Sequence, residues 1–246
     1  MEYRQLLPCP DLAPYIDAYW TVTGRKTNNI AERIMPDGCI DIILNLGEDF
    51  HVDDSNLLMK NHHAYLVGTM TCYKEIIRPR DTHLVGIRFK PVAFSFFYRY
   101  SFLHEIADKT VEFDIKSIPE INADTPDLAD CLNRFFTNRL SVSYPGKVLL
   151  AIIEDATNLK GQITVDALAK RHFISPRQLE RYFRFYSGIS PKAFINFVRY
   201  QSALEKIRNN HANRSLLEIA FESGYYDHAH LSNEIRKYAG SSPSEL

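Results

Sequence analysis

An internal repeat in the C-terminal part constrains this chain more than any other feature of its sequence. The first copy carries three apolar residues and a Gly-x-Ser-Pro sequence, at Leu179, Phe183, Tyr186, Gly188, Ser190 and Pro191. The same pattern returns 52 residues later, at Leu231, Ile235, Tyr238, Gly240, Ser242 and Pro243. Two copies are too few for a stacked solenoid, which needs about three repeats or more. The repeat therefore predicts a duplicated supersecondary unit.

Helix signals inside each copy predict that this unit is a helix–turn–helix. Ser and Asp side chains mark helix starts because they accept hydrogen bonds from free N–H groups, and glycine marks helix ends. These signals lie at Ser175, Gly188, Ser215, Asp227 and Gly240. Two short helices joined by a tight turn form the unit that places its second helix in the major groove of DNA.

The predicted units span residues 164–187 and 215–239, and a linking helix is predicted between them over residues 190–209. The second unit has one extra residue in its turn, near Gly224. A helix of about 20 residues is about 30 Å long, and successive major grooves on one face of DNA are about 34 Å apart. One rigid helix is therefore expected to hold two recognition helices in adjacent grooves.

The outer faces of the two second helices present basic and polar side chains. Arg177, Arg181 and Arg184 follow one another at i, i+4 and i+7, opposite the apolar stripe of the first copy. Asn233 and Arg236 lie opposite the stripe of the second copy. Arginine bonds guanine with two hydrogen bonds, and Asn, His and Glu side chains read other base edges. The alternative interpretation is that the arginines only form a solvated basic face. The capped turns and their duplication favour the interpretation that this face binds DNA.

The charge distribution divides the chain close to where the repeat begins. Residues 1–145 carry 15 Lys and Arg against 20 Asp and Glu, whereas residues 146–246 carry 14 against 10. A basic part beside an acidic part is a weak indication of nucleic-acid binding. We therefore expect two domains, with a regulatory, sensing or dimerising domain over residues 1–145 and a DNA-binding domain over residues 146–246.

The N-terminal part has the pattern of strands followed by helices. Ile40, Ile42 and Leu44 alternate with Asp41 and Asn45, and this period of two predicts a strand. Strands are predicted at Tyr15–Thr23, Glu32–Met35, Cys39–Leu46, Tyr65–Met70, Tyr73–Ile77 and His83–Phe89. Helical spacing is present at Phe94, Phe97, Tyr98 and Phe102, and again over residues 127–140. The expected fold class is α+β, with a β-rich first domain and an all-α second domain.

The C-terminal pattern resembles the DNA-binding domain of AraC/XylS-family transcriptional regulators. The resemblance is carried by Leu168-Ala169, Ser175, Leu179, Phe183, Gly188-Ile189-Ser190-Pro191, Arg199, Ala203, Ile219-Ala220, Gly224-Tyr225, Leu231 and Gly240-Ser241-Ser242-Pro243. By position, it implies base contacts for Arg177, Glu180, Arg181, His228, His230 and Asn233. It implies contacts to the DNA backbone for Gln178, Arg184 and Arg236. Asn233 departs from the family, which often has a basic residue there, so the second recognition helix is expected to be less basic.

The N-terminal part also resembles a domain found in bacterial members of this family. The residues that carry this resemblance run from Met35 to Gly47, in the sequence Met-Pro-Asp-Gly-Cys-Ile-Asp-Ile-Ile-Leu-Asn-Leu-Gly, with Leu84–Phe89 downstream. The resemblance implies a barrel-like, cupin-like regulatory module. In such a module Asp41 and Asn45 would line an effector pocket, with Arg88 as a charge partner. The alternative is that Asp41 and Asn45 face solvent.

The sequence lacks the common motifs of catalysis and metal binding. No dinucleotide-binding glycine motif, phosphate-binding loop, nucleophile elbow or His-Glu-x-x-His is present, so we expect no enzymatic activity, no cofactor and no metal. The four scattered cysteines are expected to be reduced thiols of a cytoplasmic protein, and they lie at Cys9, Cys39, Cys72 and Cys131. The apolar runs are shorter than the ~18 residues that span a bilayer, so no membrane partner is expected.

Together these features predict a cytoplasmic, sequence-specific transcriptional regulator that is gated by its N-terminal domain. The expected partners are double-stranded operator DNA, RNA polymerase if the protein activates transcription, a small-molecule effector and a second copy of the chain. The predicted helix over residues 127–140 is a candidate dimer interface, and a place in the core of its own domain is the equal alternative. Gating by a protein partner, or an enzyme fused to a DNA-binding domain, are the other interpretations.

Overall fold

The computed structural model describes residues 2–25, 32–52, 57–77, 79, 81–100, 103–123, 125–210 and 214–245. In these ranges the strands are β1 (Glu2–Leu6), β2 (Ile16–Arg25), β3 (Glu32–Ile34), β4 (Ile40–Asn45), β5 (Phe50–Val52), β6 (Leu57–Met59), β7 (His63–Val67), β8 (Lys74–Ile76), β9 (Asp81–Phe89) and β10 (Thr110–Phe113). The α-helices are α1 (Leu128–Arg139), α2 (Tyr144–Asn158), α3 (Val165–Arg171), α4 (Pro176–Tyr186), α5 (Pro191–Arg208), α6 (Leu216–Glu222) and α7 (His228–Ala239). The predicted order of a β-rich part followed by helices is confirmed.

The main sheet has six antiparallel strands in the order β1-β2-β9-β4-β7-β10. Two further sheets have two strands each, β3 with β8 and β5 with β6. All six strands expected from the sequence are present, and β1, β5, β6 and β10 are additional. Strands β5 and β6 have three residues each, which is too few to show an alternating pattern.

Strand β4 divides its side chains between the two faces of the main sheet. Ile42 and Leu44 join the large core beneath the helices. Ile43 packs on the opposite face, against a smaller buried cluster that includes Trp20 and Tyr65. Residues of the two small sheets belong to this second cluster, so a space is enclosed between them and the main sheet. The main sheet is nevertheless open, because β1 and β10 are its edge strands. The likeness to a cupin stays a prediction.

The aromatic stretch after β9 does not form the expected helix. Residues Ala93–Phe96 make one 3-10 turn, and Phe102 lies outside the described residues. Val92 precedes the turn with a φ of 66°, a left-handed conformation that is unusual for a β-branched residue. The rings pack in several directions, as the edge-to-face contact of Phe94 with Phe89 at 5.4 Å shows. Burial of aromatic side chains therefore outweighs the helical spacing.

Helix α1 begins after the N-cap Asp127, as the sequence predicts. Its residues Leu132 and Phe136 are fully buried, and the ring of Phe136 lies 5.5 Å from that of Phe89. The Oδ1 atom of Asn133 accepts a hydrogen bond from the hydroxyl of Tyr19 at 3.0 Å. The apolar stripe of α1 is therefore part of the core of its own chain. The first interpretation, a free dimer interface on this stripe, is wrong.

The helix signals of the repeat are confirmed. Side chains of Thr164, Ser175, Ser190, Ser215 and Asp227 cap the helices α3 to α7, and Ser215 forms a capping box with Glu218. Gly240 ends α7 in the left-handed conformation, with a φ of 70°. The loop between α6 and α7 is one residue longer than that between α3 and α4.

One hydrophobic core joins the sheet-rich part to the helices. It includes Phe89 and Phe96 from the first part and Phe183 and Phe194 from the second. The expected domain boundary near residue 145 falls in the first turn of α2, and it stays a prediction. None of the helices in the described ranges is both long and apolar enough to cross a membrane.

Candidate nucleic-acid interface and ligand cavity

Helix α4 presents a basic face because its apolar face is held in the core. Leu179 and Phe183 are fully buried, whereas Arg177, Arg181 and Arg184 are exposed. Cap residue Ser175 accepts a hydrogen bond from the N–H of Gln178 at 3.2 Å, which fixes the start of the helix. Free N–H groups and the helix dipole make such a start attractive to phosphate.

The arginines of α4 differ in their partners. Arg184 lies 3.5 Å from the carboxylate of Glu180, one turn earlier. Gln178 donates a hydrogen bond from Nε2 to the hydroxyl of Tyr182 at 2.7 Å. Within the described ranges, Arg177 and Arg181 form no ion pair. The guanidinium of Arg181 lies 5.7 Å from the ring of Tyr182. Both arginines are therefore free of a carboxylate and available to an external anion or base, whereas Glu180 and Gln178 have polar partners on the same helix.

Helix α7 presents a more polar face of the same kind. Leu231 and Ile235 are fully buried, and the predicted contact residues His228, His230, Asn233 and Arg236 are all exposed. The ring of His230 packs edge-to-face against Tyr225 at 5.2 Å, which limits the freedom of its imidazole. All six predicted base contacts therefore lie on the two second helices, and their contact with DNA stays a prediction.

The linking helix α5 packs against both recognition helices. The ring of Phe194 lies 5.6 Å from Phe183 of α4, and Tyr200 stacks on Tyr238 of α7 at 4.6 Å. Arg199 of α5 donates two hydrogen bonds to the carbonyl of Gly161, at 3.0 and 2.8 Å. The helix has 18 residues and is thus about 27 Å long. Both recognition helices are therefore positioned relative to each other through α5.

A second candidate site is a cavity of about 180 Å³ between the main sheet and the small sheets. Its lining is mostly apolar and includes Trp20, Val22, Ile34, Phe50, Val52, Met59, Met70, Ile76 and Leu84. Asp37, Asp41, Lys74 and Arg88 add charged groups to this lining. A largely apolar cavity with a few convergent polar groups is the usual form of a small-molecule site.

The polar end of the cavity is a connected cluster around Asp41. Its Oδ1 atom accepts hydrogen bonds from Nε1 of Trp20 at 2.8 Å and from Nε of Arg88 at 3.2 Å. The same Nε lies 3.1 Å from Oδ2 of Asp37. Burial raises the pKa of Asp41 to about 6, and the charge of Arg88 opposes this rise. One guanidinium is thus shared by two carboxylates, and one of these is deeply buried.

Asn45, the third residue predicted for the pocket, lies outside this cavity. Its amide is used inside the chain, since Nδ2 donates to the carbonyls of Glu48 and Met59, both at 2.9 Å, and Oδ1 accepts from the N–H of Gly47 at 3.0 Å. The alternative that Asp41 and Asn45 face solvent is wrong, because both side chains are buried.

Sequence reasoning missed Trp20 and Met70 as cavity residues. Trp20 belongs to a predicted strand whose alternation could have placed it on one face with Val22, but the pattern does not show which face of the strand lines a cavity.

Within the described ranges, no group of three or more His, Cys, Asp or Glu side chains is arranged to hold a metal ion.

Comparison with known proteins supports the two-part organisation. Residues 168–246 match a helix-turn-helix domain family of the AraC type. The C-terminal part is an AraC-type helix-turn-helix domain. Residues 4–112 match a domain of unknown function, DUF6597.

Two curated transcriptional regulators match less than half of this chain. The HTH-type transcriptional activator RhaS of Escherichia fergusonii is 32% identical over 98 residues, which are 40% of this chain and 34% of the relative. The HTH-type transcriptional regulator ArgR of Pseudomonas aeruginosa is 29% identical over 108 residues, which are 44% of this chain and 32% of the relative. The chain thus spans about a third of the length of these relatives.

Solved structures show that the likeness of fold extends beyond the AraC-type domain. ToxT from Vibrio cholerae is 12% identical with a TM-score of 0.51, and the match covers 92% of this chain and 97% of ToxT. ToxT from Vibrio cholerae O395 bound to (E)-4-(8-methylnaphthalen-1-yl)but-3-enoic acid is 11% identical with a TM-score of 0.50, over 92% and 97% of the two chains. The sheet-rich part followed by a double helix–turn–helix is therefore a shared fold.

Proposed function

We propose that this chain is a cytoplasmic transcriptional regulator that binds double-stranded DNA through α4 and α7. The observation that carries the proposal is the pair of exposed recognition faces on two capped helices that both pack against the single helix α5. Its function is to occupy an operator rather than to catalyse a reaction. RNA polymerase is a further partner if the bound protein activates transcription.

One copy of the chain already carries two recognition helices, so the proposal needs no dimer. Arg177 and Arg181 are the base-reading residues that we expect to contribute most, since no carboxylate in the described ranges neutralises them. The face of α7 offers His228 and Asn233, which would form fewer charged contacts with phosphate than the arginines of α4. We therefore expect the site to be asymmetric, with α4 contributing most of its electrostatic affinity.

The cavity beside Asp41 supports gating by a small molecule rather than by a protein partner. Its volume of about 180 Å³ is close to that of an engineered apolar cavity of ~150 Å³ that binds benzene. The occupant we propose is a small, mostly apolar molecule with one polar group, which would meet the cluster of Asp41 and Arg88. The match of residues 4–112 to DUF6597 assigns no ligand to this part.

The DNA-binding proposal is tested by selecting duplexes from a random pool with the full chain. Arg181→Ala is selected in parallel, and Lys147→Ala, an exposed residue of α2, is the charge-matched control. We expect one site with two elements about one helical turn apart, and we expect Arg181→Ala to lose base preference in one element only. If the wild-type chain enriches no sequence at moderate salt, the proposal is wrong.

The cavity proposal is tested with the only tryptophan of the chain, because Trp20 lines the cavity and bonds Asp41. Benzyl alcohol is the probe, and glycerol is the polar control. Binding in the cavity should change the Trp20 emission in a saturable way and raise the melting temperature. If the emission responds to neither compound while a purified protein partner changes DNA binding, gating by a protein replaces this proposal.

A further inference from the structure

The sheet-rich part holds the C-terminal ends of both recognition helices at equivalent positions of the repeat. At the end of α4, the hydroxyl of Thr69 donates a hydrogen bond to the carbonyl of Ser187 at 2.8 Å, and both residues are buried. At the end of α7, Nη1 of Arg33 donates to the carbonyl of Ala239 at 3.2 Å. Ser187 and Ala239 lie 52 residues apart, which is the offset of the repeat.

The glycines that follow these two carbonyls are also packed against the sheet-rich part. A Cβ atom on Gly188 would lie 2.4 Å from the carbonyl oxygen of Leu103. A Cβ atom on Gly240 would lie 2.5 Å from the ring of Tyr73. Each recognition helix is therefore in direct contact with the sheet-rich part at the end opposite to its DNA-facing start.

A single segment, residues 68–73 between β7 and β8, reaches both helix ends. Thr69 contacts α4, and the ring of Tyr73 contacts the end of α7. Arg33 lies over the ring of Tyr73 at 5.0 Å, which ties the second contact to β3. The carboxylate of Asp108 accepts hydrogen bonds from the N–H and the hydroxyl of Thr71, so the middle of the segment is fixed as well.

This segment adds a further connection to those that α5 and the hydrogen bond from Nε2 of Gln162 to the carbonyl of Glu222 supply. Each additional contact restricts the rotation of one unit relative to the other, and this segment contacts the far end of both recognition helices. An inserted base pair moves one DNA element by about 3.4 Å and turns it by about 35° relative to the other. Two units that are fixed relative to each other cannot follow this change without losing contacts.

We propose that residues 68–73 form a brace that sets the spacing of the two DNA elements, with Thr69 and Tyr73 as specificity-determining residues that never touch DNA. The inference rests on the proposed function of α4 and α7 as recognition helices. The brace also forms part of the cavity wall, since Gly68 and Met70 line the cavity. A molecule in the cavity would therefore act on the accepted spacing rather than on base preference.

The test compares the full-length wild type with the double variant Thr69→Val, Tyr73→Ala on the selected site and on sites with one base pair added or removed. The wild type should lose about 10–100-fold in affinity on either altered site, which lies within the range of one wrong base pair. The variant should lose no more than about threefold on the same sites. Ile77→Ala, an exposed residue just after β8, is the control and should behave as the wild type. A variant that keeps the wild-type discrimination overturns the proposal.

Amide hydrogen exchange tests, in the absence of DNA, whether the brace holds the ends of the two recognition helices. In the double variant, peptides covering residues 183–188 and 235–240 should exchange faster, while the interior of α5, residues 195–204, should be unchanged. A chain that is only less stable would exchange faster in all three regions, which would overturn a positioning role, and so would unchanged exchange in the first two. If the wild type binds no duplex, the proposed function is wrong. The exchange experiment would still show whether residues 68–73 hold the ends of α4 and α7.

Discussion

Substitution of Gly38 by alanine tests how the sheet-rich part meets the linking helix. Gly38 has a φ of +76°, and a Cβ atom there would lie 2.9 Å from Cε1 of Phe197 and 3.5 Å from Cγ of Pro91. The left-handed conformation costs alanine about 1–2 kcal/mol, and the stiffer unfolded chain returns about 0.4–1 kcal/mol. Overpacking against the ring adds about 1–3 kcal/mol.

These contributions predict that Gly38→Ala lowers the free energy of unfolding by about 2–4 kcal/mol. For a chain of this size, that corresponds to a fall in melting temperature of roughly 4–16 °C. Equilibrium urea denaturation, followed by Trp20 emission and by circular dichroism, measures the loss. Agreement of the two probes is required, because only then does one free energy describe the transition.

A double-mutant cycle with Phe197→Leu separates strain from overlap. The shorter leucine lacks the ring atom that the new Cβ meets, so the double variant should recover the part due to overlap and keep the part due to strain. We expect a coupling energy of about 1–3 kcal/mol. The reasoning is refuted if Gly38→Ala costs less than about 0.5 kcal/mol, or if the two changes are additive within that error.

Three further predictions concern the interface and the cavity. Arg181→Ala should weaken binding to the selected site by about 5–150-fold in a fluorescence anisotropy titration at fixed salt, whereas Lys147→Ala should change it by less than about twofold; equal effects would show that only net charge matters. The folded protein holds the proton of Asp41 to about pH 6, whereas the unfolded chain releases it near pH 4. Stability should therefore fall as the pH rises through this window, by at most about 3 kcal/mol, and Asp41→Asn should remove that fall from a series of urea melts; an unchanged pH profile would contradict the assignment. Asn45→Ala should destabilise the chain by about 2–4 kcal/mol because it leaves buried groups unpaired, while the affinity for benzyl alcohol stays within about twofold. A loss of probe binding at equal stability would instead place Asn45 at the cavity.

The double helix–turn–helix could be predicted in detail because its signals are local. The side chains of Ser175, Ser215 and Asp227 each accept a hydrogen bond from the N–H three residues later, at the start of the helix that they cap. The buried stripe of each helix follows from the period of 3.6 residues within that helix. The outer faces then follow by geometry, so the predicted contact residues are all on the recognition helices. The helix expected from Phe94, Phe97 and Tyr98 is absent, because side chains at the same spacing can also fill a core from a 3-10 turn.

The cavity could be predicted only in part. The alternation of side chains along a strand predicts which residues share a face, but it does not predict whether other strands enclose a cavity on that face. Asp41 and Asn45 alternate correctly on β4, but Asn45 lies at its end, where the amide bonds the turn after β4 and the carbonyl of Met59. The cavity exists because β3, β5, β6 and β8 contribute to the cluster on the opposite face of the sheet. These strands are three residues long, so their pairing depends on the folded context.

By itself the sequence determined the repeat, the helix ends and the two polar faces, since each depends on residues within a few positions of one another. Only the tertiary structure decided that Arg88 pairs with Asp37 and Asp41, and that Thr69 and Arg33 hold the ends of the two recognition helices. Thr69 and Ser187 are 118 positions apart. No local propensity encodes such a contact, because it forms only when the large core brings the sheet and the helices together.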